Sequence, residues 1–164
     1  MLRATRKPKV YVECKPDELL VKRLGVPRKN IIHAGNKTEV CKHLKNIENS
    51  LGVVDEDPYS EQPEYLRDLI ANGTTILDRN DIKVLDDKKR NNRLIILCPK
   101  LEDWVIRTAK NAGIELEKFG LPDDPNRLHR IINSNLDKFE RFLEALLHSN
   151  SKRIDDLVFP FAHL

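Results

Sequence analysis

The chain has 164 residues, a length that one hydrophobic core can serve, so we expect a single domain over residues 1–164. Hydrophobic residues make up 40% and charged residues 34% of the chain, which excludes a disordered protein, and no stretch approaches the ~20 apolar residues that span a bilayer. The 29 basic and 26 acidic residues leave a net charge of +3, which permits nucleic-acid binding without requiring it.

The cysteines and the N-terminal segment favour a cytoplasmic protein. Cys14, Cys41 and Cys98 lie far apart and form no Cys-x-x-Cys pair. Such an odd, scattered set is typical of free thiols in a reducing compartment and argues against a disulfide scaffold or a zinc ribbon. Residues 1–9 are basic and lead directly into a strand-like run, without the apolar core of a secretory signal.

Strands and helices are predicted to alternate along the first two thirds of the chain, from the apolar periodicity and from the glycine and proline positions that end each run. The predicted strands are 9–13, 30–34, 51–55, 82–85 and 94–97, and the predicted helices are 16–24, 38–47 and 102–112. The segment 60–79 is polar and mixed, with one or two helical turns over 63–70. Residues 86–92 are predicted to form a charged, hairpin-like turn in which Asp86 and Asp87 are solvated.

This alternation predicts an α/β fold of the Rossmann-like kind, with a mainly parallel sheet and helices on both faces. The α/β core is expected over residues 9–112. A C-terminal helical extension is expected over 123–164, where apolar residues at helical spacing indicate a long helix or a helical pair, followed by a packed tail from 152.

Acidic residues follow two of the predicted strands. Glu13 ends the first strand, and Asp55-Glu56-Asp57 follows the third. Because the carboxyl ends of parallel strands meet at one edge of a sheet, these side chains are expected to lie close together. Residues two apart in an ending strand point to the same side, so Asp55 and Asp57 can face one ion. Carboxylate oxygens suit Mg²⁺ or Mn²⁺. The alternative is a solvated acidic turn ahead of Pro58.

Four motifs follow one another along the chain: Tyr11-Val-Glu13 with Asp17 and Leu20 behind it, Gly35-Asn-Lys37, Val53-Val-Asp-Glu-Asp57 and Leu101-Glu-Asp-Trp104. Taken in this order, they resemble a TOPRIM domain, closest in pattern to those of OLD-type nucleases. In that family a Glu after the first strand and an Asp-x-Asp after the third hold Mg²⁺ for phosphoryl transfer. The resemblance covers roughly residues 9–112. One departure is Cys14, which stands where the family usually has a glycine.

The resemblance implies divalent-metal-dependent phosphoryl transfer on DNA or RNA, most simply a nuclease. The implied metal ligands, which are also the implied catalytic residues, are Glu13, Asp55, Asp57 and Glu102. Gly35 would let the backbone approach a phosphate closely, and Lys37 would neutralise it. Two alternatives remain open at these positions. The Gly35 loop is also typical of an ordinary strand-to-helix turn with a surface lysine, and Glu102 is also typical of an acid that begins a helix.

Two basic clusters are suited to a phosphate backbone. They are Lys88-Lys89-Arg90 with Arg93, and Arg3, Arg6, Lys7 and Lys9. No aromatic residues are interleaved with them, so base stacking is not indicated. Two other functions remain open: a non-catalytic TOPRIM-like module that binds nucleic acid or a partner protein, and a Rossmann-like domain for a small phosphorylated ligand. Homo-oligomerisation is also open.

Overall fold

The computed structural model describes residues 7–162. Arg3 and Arg6 of the predicted basic cluster, and the last two residues of the predicted extension, lie outside this range. The strands are β1 (Val10–Val12), β2 (Ile31–His33), β3 (Leu51–Asp55), β4 (Thr74–Arg79), β5 (Ile82–Asp87) and β6 (Asn92–Leu97). The helices are α1 (Lys15–Arg23), α2 (Lys37–Asn46), α3 (Glu64–Asn72), α4 (Leu101–Ala112), α5 (Pro125–Ser134), α6 (Leu136–Leu147) and α7 (Lys152–Ala162). Short 3₁₀ turns cover Arg28–Asn30 and Leu116–Phe119.

The six strands form one mixed sheet in the order β2-β1-β3-β6-β5-β4. β2, β1, β3 and β6 are parallel neighbours, whereas β5 and β4 add an antiparallel meander at one side. Val12 is in register with Val53, and Asp55 with Leu97. The predicted α/β fold is therefore confirmed, and the four strands expected in one parallel arrangement lie in it.

Helices cover both faces of the sheet because side chains alternate along each strand. On one face, Val12 and Val53 pack with α1 and α4 to α7 in the larger core cluster. On the other, Tyr11 and Val54 pack with α2 and α3 in a smaller cluster. The C-terminal helices share the larger cluster with the central strands, since Phe139 of α6 belongs to it.

The segment 60–79 differs most from its prediction. Its helix α3 extends to Asn72, and its last part is the strand β4. β4 lies at the edge of the sheet, is largely exposed and has an irregular register between Thr75 and Leu77. Its residues therefore lack the clean apolar alternation of a half-buried strand, which is the signal that sequence analysis uses. The tail is likewise more regular than predicted, because it forms the helix α7.

The predicted charged turn joins β5 to β6 as a hairpin, but Asp87 is not solvated as expected. It is buried, and its carboxylate accepts hydrogen bonds from the Tyr65 hydroxyl (2.9 Å) and Arg90 Nη1 (3.1 Å). Asp86 pairs with Arg93 at 3.0 Å. Both acids are thus used inside the fold: α3 supplies Tyr65 to Asp87, and β6 supplies Arg93 to Asp86. No helix within residues 7–162 is long and apolar enough to cross a membrane.

Candidate functional site

Glu13 and Asp55 meet at the carboxyl edge of the sheet, as the sequence predicts. Glu13 directly follows β1, and Asp55 is the last residue of the neighbouring strand β3. The Asp55 N–H donates to Glu13 Oε2 at 2.7 Å. Asp55 Oδ1 accepts a hydrogen bond from the Leu101 N–H at 2.9 Å, which ties the end of β3 to the start of α4. Two adjacent parallel strands and one helix start therefore position the pair.

Asp17 is a member of this cluster that the sequence analysis did not assign to the site. It lies in the first turn of α1, is only 2% exposed and accepts a hydrogen bond from Cys14 Sγ at 3.1 Å. Burial raises its pKa, and the charges of Glu13 and Glu102 raise it further. The sequence signal for Asp17 was an acidic residue four positions after Glu13, in the first turn of the next helix. The packing of α1 on the sheet then turns this side chain inward.

Glu102 lies near the same edge, as predicted. It stands in the first turn of α4, is 5% exposed, and its Oε1 is 2.7 Å from Nδ1 of His129 on α5. Its charge raises the pKa values of both Asp17 and Asp55. Glu102 therefore both begins a helix and lies close to the other carboxylates, so the two interpretations of this residue do not exclude each other.

Asp57 lies beyond the end of β3, so the strand geometry that positions Asp55 does not position Asp57. β3 ends at Asp55, and Asp57 has a φ of 42°, so strand alternation does not extend to it. Its N–H donates to the Pro99 carbonyl at 3.0 Å. Its charge nevertheless raises the pKa of Glu13, which places Asp57 near that residue.

The loop after β2 brings Lys37 to the site. Gly35 has a φ of +105°, a left-handed conformation that favours glycine, and nothing lies within 4 Å of a Cβ added there. Lys37 begins α2 and is 8% exposed, so it is not the surface lysine of the alternative interpretation. Its ammonium donates to the Glu56 carbonyl (2.8 Å) and to Gln62 Oε1 (2.9 Å), and its charge lowers the pKa of Glu13.

The cluster carries more negative charge than its surroundings compensate. Burial raises the pKa of Asp55, and the charges of Asp17, Glu13 and Glu102 raise it further, whereas the Leu101 N–H opposes them. Burial also raises the pKa of Glu13, against the Asp55 N–H and Lys37. Protons or a bound cation would relieve this unfavourable charge.

The donor chemistry of the cluster fits a hard divalent cation, since its ligands would all be carboxylate oxygens. Among residues 7–162, no three histidine, cysteine, aspartate or glutamate side chains form a group arranged to hold a metal ion. The carboxylates instead face N–H donors and His129. The donor type therefore suits Mg²⁺ or Mn²⁺, but the side chains of residues 7–162 are not arranged to coordinate one.

No protein-family model, curated protein or solved structure matches this chain. The resemblance to TOPRIM domains therefore remains a prediction that rests on the motifs.

Proposed function

We propose that the protein is a divalent-metal-dependent phosphoryl-transfer enzyme that acts on nucleic acid, most simply a nuclease with a TOPRIM-like core. The observation that carries the proposal is the group of acids at the carboxyl edge, Glu13, Asp17, Asp55 and Glu102, whose charges act on one another. Burying like charges together costs stability unless a partner compensates them. Such a group at the ligand-binding edge of a parallel sheet therefore indicates a functional site.

Glu13 and Asp55 are the proposed primary ligands, because they adjoin each other at the ends of neighbouring strands. Asp17, Asp57 and Glu102 are proposed to complete the oxygen set. A bound Mg²⁺ or Mn²⁺ would supply Lewis-acid stabilisation of charge on a phosphate and a water that deprotonates readily.

In this proposal, each residue around the ion has a distinct role. Asp55 is oriented by the Leu101 N–H, which fixes one carboxylate oxygen and leaves the other for a ligand. His129 holds the Glu102 carboxylate from the side of α5. Lys37 places a positive charge beside Glu13, where it offsets part of the negative field that would otherwise repel a phosphate. Gly35 provides the turn that brings α2 and Lys37 there.

The raised carboxyl pKa values favour this proposal over a solvated acidic turn. A carboxyl group that holds its proton because burial and neighbouring carboxylates disfavour its charged form is a group from which a cation can displace that proton. Cation binding should therefore release protons and become tighter as the pH rises.

The test is cleavage of end-labelled DNA and RNA oligonucleotides with Mg²⁺ or Mn²⁺, with EDTA as the blank. We expect metal-dependent cleavage by the parent protein and its loss in Asp55→Asn. The matched control is Asp123→Asn, because Asp123 is exposed and precedes α5. Cleavage that persists in Asp55→Asn, or that is equal in EDTA, would refute the metal assignment.

A non-catalytic module with the same fold is a second candidate. Cys14 favours it, because a side chain stands where the family usually has glycine. The Cys14 thiol donates a hydrogen bond to Asp17, so it occupies one of the proposed ligands. Salt-dependent nucleic-acid binding without cleavage, in the presence of Mn²⁺, would identify this function.

A further inference from the structure

The loops that enter the four parallel strands form the amino edge of the sheet, opposite the carboxylates. Residues 7–9 precede β1, Arg28–Asn30 precede β2, residues 47–50 precede β3 and residues 88–91 precede β6. All charged residues in these loops are basic except Glu48. Six of the basic residues are exposed, and we call them the basic edge: Lys7, Lys9, Arg28, Lys29, Lys88 and Lys89.

Hydrogen bonds between neighbouring loops make the basic edge one continuous surface. The bonds are Asn30 Nδ2 to the Lys7 carbonyl (2.9 Å), Leu51 N to the Lys9 carbonyl (2.9 Å) and Asn49 N to the Arg90 carbonyl (3.0 Å). The β6 hairpin is anchored further by Asn92, which is 1% exposed and donates to the Leu44 and Ile47 carbonyls. The cations are therefore held on a fixed frame.

The six cations differ from the paired basic residues of the part of the chain that the structure describes. Within residues 7–162, none of them forms an ion pair with a carboxylate. Arg90 in the same hairpin differs, because it binds Asp87 and the Lys45 carbonyl. Like charges gathered at one edge repel each other, and an external polyanion would remove that repulsion.

We propose that the basic edge binds the phosphodiester backbone of a nucleic acid, as a contact surface separate from the carboxylates. The inference deepens the proposed function and rests on it for the class of polyanion. Three strand spacings of about 4.8 Å separate β2 from β6, or about 14 Å. That length matches about four phosphates of one duplex strand, at about 3.4 Å each along the helix axis.

The side chains of the basic edge favour backbone contact without base readout. Its loops contain no aromatic residue that could stack on a base. The large apolar side chains that are exposed within residues 7–162, among them Tyr59 and Phe159, lie outside these loops. Surface binding to a membrane usually adds such apolar contacts, so a nucleic acid suits the edge better than a bilayer. Binding should be independent of sequence and strongly dependent on salt.

The basic edge should also act independently of metal. β3 has five residues, so the two edges lie about 16 Å apart at about 3.3 Å per residue. A backbone held at the amino edge does not contact Asp55. Nucleic-acid binding should therefore persist in EDTA and in Asp55→Asn, which separates this proposal from the enzymatic one.

The experiment is fluorescence anisotropy of a short labelled duplex and its single strand with the full chain, in EDTA, from about 50 to 200 mM NaCl. Replacing both Lys88 and Lys89 by alanine should weaken binding and reduce the slope of log Kobs against log salt by about 2 for the duplex. The matched control replaces Lys15 and Lys100 by alanine. Both residues are exposed and follow the carboxyl ends of β1 and β6. Their replacement removes the same net charge as the Lys88/Lys89 replacement. Thermal melting checks that each variant is folded.

A slope that falls in the Lys88/Lys89 variant and not in the Lys15/Lys100 variant supports the proposal, whether or not the protein cleaves. Three results would overturn it: no binding at low salt, equal losses in the two variants, or a loss confined to the control. Binding to phosphatidylserine vesicles without binding to either nucleic acid would also overturn it, and would assign the edge to a membrane surface. Normal binding with no metal-dependent cleavage would refute only the enzymatic proposal.

Discussion

Replacing Asp55 by asparagine should stabilise the metal-free protein at neutral pH. Asparagine has nearly the same shape, and its Oδ1 can still accept the Leu101 N–H that Asp55 accepts at 2.9 Å. The substitution removes an ionisable group whose charged form burial and three neighbouring carboxylates disfavour. Each pH unit by which a carboxyl pKa is raised in the folded state corresponds to about 1.4 kcal/mol. A gain on the order of 1–3 kcal/mol is therefore expected, or several degrees in Tm for a chain of this size.

The pH dependence of that gain follows from the direction of the shift. The pKa of Asp55 is raised in the folded state above its unfolded value of about 3.9, so the folded protein binds the proton more tightly. The parent protein therefore loses stability as the pH rises from about 4 through the raised pKa. The variant lacks this titration, so the difference between the two should be small near pH 4 and should grow towards pH 8.

Urea or thermal unfolding in EDTA at several pH values measures the difference, with Asp123→Asn as the control for an exposed acid. Adding Mn²⁺ should then stabilise the parent and leave Asp55→Asn nearly unchanged, because only a protein that binds the ion gains stability from it. An Asp55→Asn protein that is less stable than the parent at pH 7.5, or a difference that does not change with pH, would refute the electrostatic account of the cluster.

Two further predictions test the site and its scaffold. Glu102→Gln should reduce metal-dependent cleavage by orders of magnitude, measured under single turnover on a variant that thermal melting shows to be folded; unchanged cleavage would leave Glu102 with its helix-start position, worth at most about 1 kcal/mol, and its contact with His129. Gly52→Ala should destabilise the protein by about 1–3 kcal/mol in urea, because the new Cβ would lie 2.8 Å from side-chain atoms of Val40 and Leu44 where α2 packs on β3; an unchanged midpoint would show that α2 can move away at no cost.

The parallel core and the position of its principal acids followed from local patterns in the sequence. Short apolar runs that end in Glu13 and Asp55 indicated strands, and parallel strands bring their carboxyl ends to one edge, so the hydrogen bond between these two residues is a consequence that sequence analysis could reach. Helix starts and stops were equally local, as at Gly113, which takes the left-handed conformation after α4.

Other features depended on residues distant in the chain. Asp17 could be a solvated acid in a first helical turn, and only the packing of α1 buries it beside Glu13 and Glu102. Lys37 is drawn inward by the Glu56 carbonyl and Gln62, which lie after a different strand. β4 is a strand because β5 offers it an edge to pair with, not because its own pattern demands one.

The sequence by itself determined which residues form the central strands and that acids follow two of them, because strand formation and strand ends depend on neighbours in the chain. Only the tertiary structure decided the separation of charge across the sheet. Parallel strands place all their entering loops at one edge and all their leaving loops at the other. The lysines and arginines before β1, β2 and β6 are thereby gathered opposite the carboxylates that follow β1 and β3, an arrangement that none of these segments specifies alone.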